Sequence, residues 1–456
     1  MEMIFERLSS EMVFWMAWVI IPLIIEIAPS LFGFVILIKK RFLLNNSKEP
    51  IRLPEITIIV PVYNSSDTLR GCLESIYLSN YPNSLISIMV VNNESKDDSF
   101  NVFTQCQNEF KELSMQWLNA KQGKSKALNM ALFNSEGKYI VHIDSDGKLH
   151  PDAIKNIAVR FEQNKNIDCL TGAILSDYNE VEKTKGFWMK LLRRTEFFEY
   201  CQAFLAGRNF ESEFNNIYTL SGAFSAFRKS TILKTQLYNT DTVCEDTQVT
   251  FQVRELLKKN IHMCENALFF VEPIENFDKL YTQRQRWQRG EIEVAHMFLK
   301  KNLSATKGFF SNFMVRLLMI DHTFAFPRMI WYFALICLVF LNYPMRLIFG
   351  SVIILYLLYI LAAFLYFLNI CLYLEKFRNI RKYYISKWYI IFILPLFNFI
   401  VFWIRLAGII NCIRGEGRWK TNTLTEEWRG FTSIIKSDFL FINSIRKKIN
   451  SIINHK

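Results

Sequence analysis

The chain reads as an α/β domain of the doubly wound kind set among membrane-spanning α-helices, and three observations carry that reading. Short strand-like apolar runs alternate with helix-like segments from Ile56 to Leu149. Apolar residues concentrate toward the two ends, in Met12 to Ile38 and from about Met329 to Ile413. Basic residues collect at the edges of those stretches. With 456 residues, two or three domains are expected.

Met12 to Ile38 exceeds the ~20 apolar residues needed to cross hydrocarbon. It lacks the cationic leader and small-residue cleavage pattern of a signal peptide, so a retained span over residues 1–38 is expected. Lys39-Lys40-Arg41 follows directly. Because positive charge stays inside, this sets the N-terminus outside and residues 39–304 in the cytoplasm.

Within that insert, Ile56 to Val62 (ITIIVPV) is a continuous apolar run, as in a parallel strand buried on both faces. Tyr63-Asn64-Ser65-Ser66 supplies turn and cap residues, and Asp67 to Leu78 sets Leu69, Cys72, Leu73 and Ile76 on one helical face. Strands are expected at Ile86 to Val91, near Met115 to Leu118 and at Tyr139 to Ile143, with a helix over Gly123 to Phe133. Such βαβ series bind ligands at the carboxyl ends of their strands. Pro61 to Asn64, Asn92 to Glu94 and Asp144 to Asp146 all fall at such ends, so three turns converge on one crevice.

Asp144-Ser145-Asp146 presents two carboxylates one residue apart. Mg²⁺ or Mn²⁺ prefers oxygen and commonly takes one or two carboxylates plus substrate phosphates, so this pair suits a diphosphate-bound cation. A polar turn capping the next helix is the plainer reading of the same residues. Nine cysteines, with no CxxC pair and an odd count, indicate neither a zinc site nor a disulfide framework, and point to a reducing compartment.

The net charge of +12 fits nucleic acid, an anionic membrane or a phosphate-bearing substrate. Position decides for membrane lipid. The basic residues cluster at apolar edges instead of interleaving with aromatics on a soluble face, and no nucleic-acid partner is expected. Residues 305–326 read as an interfacial amphipathic helix, since Arg316, Asp321 and His322 would make a crossing costly. Residues 327–413 offer spans at about Pro327 to Tyr343, Leu347 to Leu374 and Trp388 to Ile413. Three crossings put the C-terminus outside, whereas the basic tail, residues 414–456, favours the inside; the total stands at four or five spans.

The ordered series PVYN (Pro61 to Asn64), KQGKSKALN (Lys121 to Asn129), DSD (Asp144 to Asp146), SGAFSAFRKS (Ser221 to Ser230), CED (Cys244 to Asp246) and QRQRW (Gln283 to Trp287) resembles the processive family 2 glycosyltransferases. These are the membrane synthases of cellulose, hyaluronan, chitin and poly-N-acetylglucosamine. The resemblance covers about Pro54 to Gly290. A narrower group, the glycosyltransferases encoded beside exosortase G, is also similar, and it admits partner proteins of envelope biosynthesis.

The resemblance implies a GT-A fold, a nucleotide-sugar donor, usually UDP-linked, and inverting hexosyl or N-acetylhexosaminyl transfer to a glycan or lipid-linked acceptor. It assigns Pro61, Tyr63, Asn93, Lys124 and Asp144 to the donor, and Asp144 and Asp146 to Mg²⁺ or Mn²⁺. Asp246 becomes the general base, and Ser221, Gly222, Glu245, Gln283, Arg286 and Trp287 the acceptor side. Each has a plainer reading. Lys124 also fits a solvated basic run, Glu245-Asp246 a helix cap, Ser221-Gly222 a tight turn, and Gln283, Arg286 and Trp287, at i, i+3 and i+4, an amphipathic interfacial helix.

One departure stands out. Where the family is acidic after the second strand, this chain has Val91-Asn92-Asn93-Glu94-Ser95, so uncharged amides replace carboxylates at the donor end. Polymer synthesis with export is the first expectation, single transfer to a lipid-linked acceptor the second. A non-catalytic assembly factor on a transferase scaffold is the third.

Overall fold

The structure, a computed structural model, describes residues 11–12, 14–20, 23–43, 52–240, 242, 244–300, 325–414, 423–429 and 432. Most of the interfacial segment expected at 305–326, with Asp321 and His322, lies outside the described residues, as does most of the basic tail.

A single eight-stranded sheet organises the chain. Its strands are β1 (Ile56–Val62), β2 (Ile86–Asn92), β3 (Ser114–Asn119), β4 (Tyr139–Ile143), β5 (Gly147–Leu149), β6 (Cys169–Ser176), β7 (Phe224–Arg228) and β8 (Ile261–Val271), in the spatial order β3-β2-β1-β4-β7-β6-β8-β5. The first four are parallel, with Ile56 opposite both Ile86 and Tyr139. β7 then runs antiparallel to β4 and β6, so the doubly wound pattern holds for one half and gives way to a mixed sheet in the other. The architecture is that of a GT-A domain joined to long apolar helices.

Every residue of β1 is buried, because helices cover both faces. Ile56, Ile58, Val60 and Val62 face one core, Ile59 the other, as a period of two requires. On the first face pack α2 (Leu69–Tyr77), α3 (Ser99–Glu109) and α5 (Ala153–Gln163). The second core includes α4 (Lys124–Asn134) and α6 (Phe187–Tyr200), and continues without a break into α11 (Met345–Tyr373), α12 (Arg378–Ser386) and α13 (Ile390–Arg414). Leu374, Tyr384, Ile390, Leu394 and Val401 belong to the same cluster as Ile59 and Phe227.

Two stretches, Met345–Lys376 and Ile390–Asn411, are long and apolar enough to cross a membrane. They match the second and third C-terminal spans expected from sequence. The first of those spans coincides with α10 (Ala325–Phe340), whose apolar part, Trp331–Phe340, is shorter than a crossing requires. The N-terminal stretch is helical, with wide π-type turns at Met16–Ile20 and Leu23–Ile27 before α1 (Ala28–Leu43). Cys72, Cys106, Cys169, Cys201, Cys244, Cys264, Cys337 and Cys371 are free thiols.

Candidate active site

β4 delivers Asp144 to the carboxyl edge of the sheet, where its N–H donates to the Ala223 carbonyl (3.1 Å) and ties the strand end to the loop before β7. Ser145 Oγ shares a hydrogen bond with Ser65 Oγ (2.8 Å), joining this turn to the one after β1. Lys124, the first residue of α4, reaches across the turn. Its Nζ lies 2.5 Å from Asp144 Oδ1 and 3.6 Å from Glu245 Oε1, and donates to the Gly222 carbonyl at 3.2 Å. Burial would lower this ammonium, but Asp144 and Glu245 outweigh it and hold Lys124 above the usual lysine range.

Asp146 keeps an open side at the cleft mouth. The cleft walls still strip water from its carboxylate, and Asp144 adds a like charge, so it is pushed up to about 6. A pair of carboxylates in each other's field is relieved by a shared cation. Among the described residues no cluster of three or more His, Cys, Asp or Glu could cage a metal alone. Two carboxylates nonetheless fit Mg²⁺ or Mn²⁺ that takes its other ligands from phosphate and water.

Opposite stands α8 (Glu245–Phe251), whose first turn presents Glu245 and Asp246. Burial pushes Glu245 up while Lys124 opposes it. Asp246 Oδ2 accepts the Gly222 N–H at 2.9 Å, and its Oδ1 accepts the Thr247 N–H at 2.6 Å. The carboxylate is thus fixed in one orientation. Glycine at position 222 leaves room for this: an added Cβ would stand 3.0 Å from Asp246 Oδ2 and 3.5 Å from Lys124 Nζ and would press on both side chains.

The far wall is made of helix flanks. Residues 187–213 form one rod, in which α6 passes through a π-helical segment, Cys201–Gly207, into α7 (Arg208–Glu213). It presents Tyr200, Phe204, Arg208 and Glu211 to a cavity of about 280 Å³. Beside it runs α9 (Phe277–Lys300), contributing Gln283, Arg286 and Trp287. Arg284 turns inward instead, 1% exposed, with Nη2 2.5 Å from Glu199 Oε2 and its guanidinium 4.2 Å from the Trp287 ring centroid. Phe204 meets Trp287 edge-on at 6.0 Å. The indole expected to be an open platform is therefore covered on one face. Arg405, from the apolar helix α13, completes the lining.

Of the residues singled out from sequence, Lys124, Asp144, Asp146, Ser221, Gly222, Glu245, Asp246, Gln283, Arg286 and Trp287 line this one cavity. Pro61, Tyr63 and Asn93 do not. Pro61 is buried within β1, beyond the last β1–β4 pair at Ile59, where the ladder on that side no longer needs the N–H it lacks. Tyr63 is half exposed, with Gln122 Nε2 3.4 Å from its hydroxyl. Asn93 Oδ1 accepts the Gly123 N–H at 2.7 Å, which holds the start of α4 in place. Sequence reasoning missed Phe204, Arg208, Glu211, Tyr218, Glu272, Glu291 and Arg405. Only Phe204 and Arg208, four apart in a helical run, carried a local signal.

Residues 57–234 match glycosyl transferase family 2. A poly-beta-1,6-N-acetyl-D-glucosamine synthase of Staphylococcus epidermidis is 26% identical over 241 residues, which cover 52% of this chain and 55% of that protein. The synthase of the same name from Staphylococcus aureus is 24% identical over 254 residues, covering 55% and 58%. The match thus spans little more than half the length of these curated relatives. Among solved structures, a mannosyltransferase of Pyrobaculum calidifontis, in complex with GDP-Man and Mn2+, superposes with a TM-score of 0.53 over 81% of this chain and 97% of that one, at 17% identity. That likeness is one of fold.

Proposed function

We propose that the chain acts as a family 2 glycosyltransferase, passing a sugar, with inversion, from a nucleoside diphosphate to a hydroxyl of a growing glycan. The observation that carries it is the placing of Asp246, fixed by two backbone N–H groups, in one cavity with the Asp144–Asp146 pair and Trp287. Asp246 takes the acceptor hydroxyl proton as that oxygen bonds the anomeric carbon. The bond to the donor phosphate breaks, and its electron pair leaves on the nucleoside diphosphate. A general base in hydrogen-bond reach typically contributes ~10²–10⁴-fold.

Asp144 and Asp146 would hold Mg²⁺ or Mn²⁺, which when bound offsets charge on the departing diphosphate. Lys124 orients Asp144 and adds a cationic wall toward the nucleotide. Asn93 acts one step back, by fixing the start of α4 that carries Lys124. Gln283 and Arg286 donate to acceptor oxygens, and the uncovered part of Trp287 packs against a sugar ring. The acceptor is read as a polymer because both relatives are named as poly-beta-1,6-N-acetyl-D-glucosamine synthases and because Arg405 of an apolar helix shares in lining the cavity. UDP-N-acetylglucosamine is the donor to test first. The domain is placed on the cytoplasmic face, with the apolar helices in the membrane.

The test is nucleotide release from a panel of nucleotide sugars by the full chain in lipid with Mg²⁺ or Mn²⁺, followed by sizing of the product. One donor should turn over, and Asp246→Asn should lower kcat by about 10³-fold with donor binding kept. Long product supports the polymer reading; a single added sugar on a lipid acceptor replaces it. A variant as active as the parent would reject Asp246 as the base.

A further inference from the structure

Two buried arginines beside the cavity, Arg284 and Arg208, are held differently. Arg284 has a carboxylate at 2.5 Å. Arg208, 8% exposed, has one hydrogen bond among the described residues, from Nη1 to Thr171 Oγ1 (3.2 Å), and lies over the Phe204 ring at 4.8 Å. A guanidinium carries five N–H donors, so most of its capacity is unspent. Burying such a cation without a paired anion is unfavourable, and burial does pull Arg208 below the usual arginine range. It lines the same cavity as Asp246 and Trp287. A π-helical segment immediately precedes it, a feature that recurs at functional sites.

What would meet those donors is set by the surroundings. The charges of Glu211 and Asp246 already act at this position, so an incoming anion would be repelled by both. A neutral oxygen would not. Phe204 and Trp287 add flat apolar surface beside it.

We propose that Arg208 is a specificity-determining residue of the acceptor site, donating hydrogen bonds to uncharged hydroxyl or amide oxygens of the acceptor's terminal sugar while Asp246 receives the proton of the attacking hydroxyl. This rests on the glycosyl-transfer reading of the cavity. The donor is held from the opposite wall, so the effect of Arg208 falls on acceptor affinity alone.

The experiment compares the full chain in lipid with Arg208→Lys, Arg208→Gln and Phe204→Leu. The probe is a neutral β-1,6-linked N-acetylglucosamine tetrasaccharide, set against an oligosaccharide of similar length bearing carboxylates. Acceptor KM for the neutral probe should rise roughly 10–100-fold in Arg208→Gln, the range of hydrogen bonds from a charged donor, less in Arg208→Lys, and least in Phe204→Leu. Donor KM and acceptor-free donor hydrolysis should stay as in the parent. The parent should favour the neutral probe. Unchanged acceptor KM in both Arg208 variants, or a parent preference for the carboxylated probe, overturns the proposal while leaving glycosyl transfer intact. Loss of donor hydrolysis in all three variants makes Arg208 structural and overturns it too. A parent that releases no nucleotide from any donor defeats the transfer reading itself, and this inference with it.

Discussion

The two walls of the cavity are built from opposite parts of secondary structure. One is made of ends: the end of β4 with Asp144 and Asp146, the loop before β7 with Ser221 and Gly222, and the starts of α4 and α8 with Lys124, Glu245 and Asp246. The other is made of flanks, the sides of the 187–213 rod and of α9 and α13. Ends expose backbone N–H and carbonyl groups, so functional side chains there are gripped locally, as Gly222 and Thr247 grip Asp246. Flanks expose only side chains. A residue on a flank is held by neighbours on other helices, as Arg284 is by Glu199.

If that contrast is right, damage to a flank should appear as lost stability and damage to an end as lost rate. The largest expected effect is Arg284→Met, which strands Glu199 in the interior and should lower unfolding free energy by ~3–5 kcal/mol. Adding Glu199→Gln should recover part of it; thermal unfolding in lipid reads both. No loss of stability would break the comparison at its flank side. Next comes Gly222→Ala, where the new methyl would press on Asp246 Oδ2 from 3.0 Å. With Asp246 as the proposed base, its displacement should cost roughly 10² in kcat, and the unfolding temperature should barely move. An inactive variant that is also unfolded would show that this end is structural.

The smallest effect sharpens the flank side. Glu196, in α6, accepts the Ile274 N–H at 3.0 Å, and burial raises its carboxyl to about 7 from an ordinary 4.5. The folded chain then holds this proton where the unfolded chain has released it. Its contribution is therefore full below about 4.5 and falls as pH rises toward 7. The slope is at most ~1.4 kcal/mol per pH unit. Unfolding midpoints of the parent and of Glu196→Gln across that window should diverge, the variant lying flatter.

The same contrast explains what could be read from sequence. β1, α2 and β4 were legible to within a residue or two, because continuous apolar runs and cap residues are local signals. Asp144, Asp146 and Asp246 were legible because they sit in turns and helix starts, where a motif is contiguous. Arg208 and Glu211 were not: they sit in a polar helix whose cavity-facing side is fixed only when it packs against β8, as Ser212 does in accepting the Met263 N–H. Arg405 lies inside the third expected span, where nothing local marks it as a cavity residue. Pro61 stood beside the right residues in sequence but points into the sheet, and the reversal of β7 leaves no mark in an apolar strand. Trp287 was correctly placed on one helical face with Gln283, yet its covering by Arg284 depends on the Glu199 pairing.

The contact between α9 and α13 reaches beyond the cavity. Gly408 brings the two helices so close that a Cβ there would lie 3.2 Å from Gln285 Cα. Arg405 Nη1 donates to Gln288 Oε1 at 3.2 Å, and Asn411 Nδ2 lies 3.4 Å from Gln285 Oε1. The α/β part and the apolar helices thus share a seam that belongs to neither. One buried cluster runs through both, so shortening the chain at residue 304 would cut through a core instead of freeing a domain. It would remove one side of a joint, and any tilt of α13 would be felt at Trp287 as a change in the shape of the cavity.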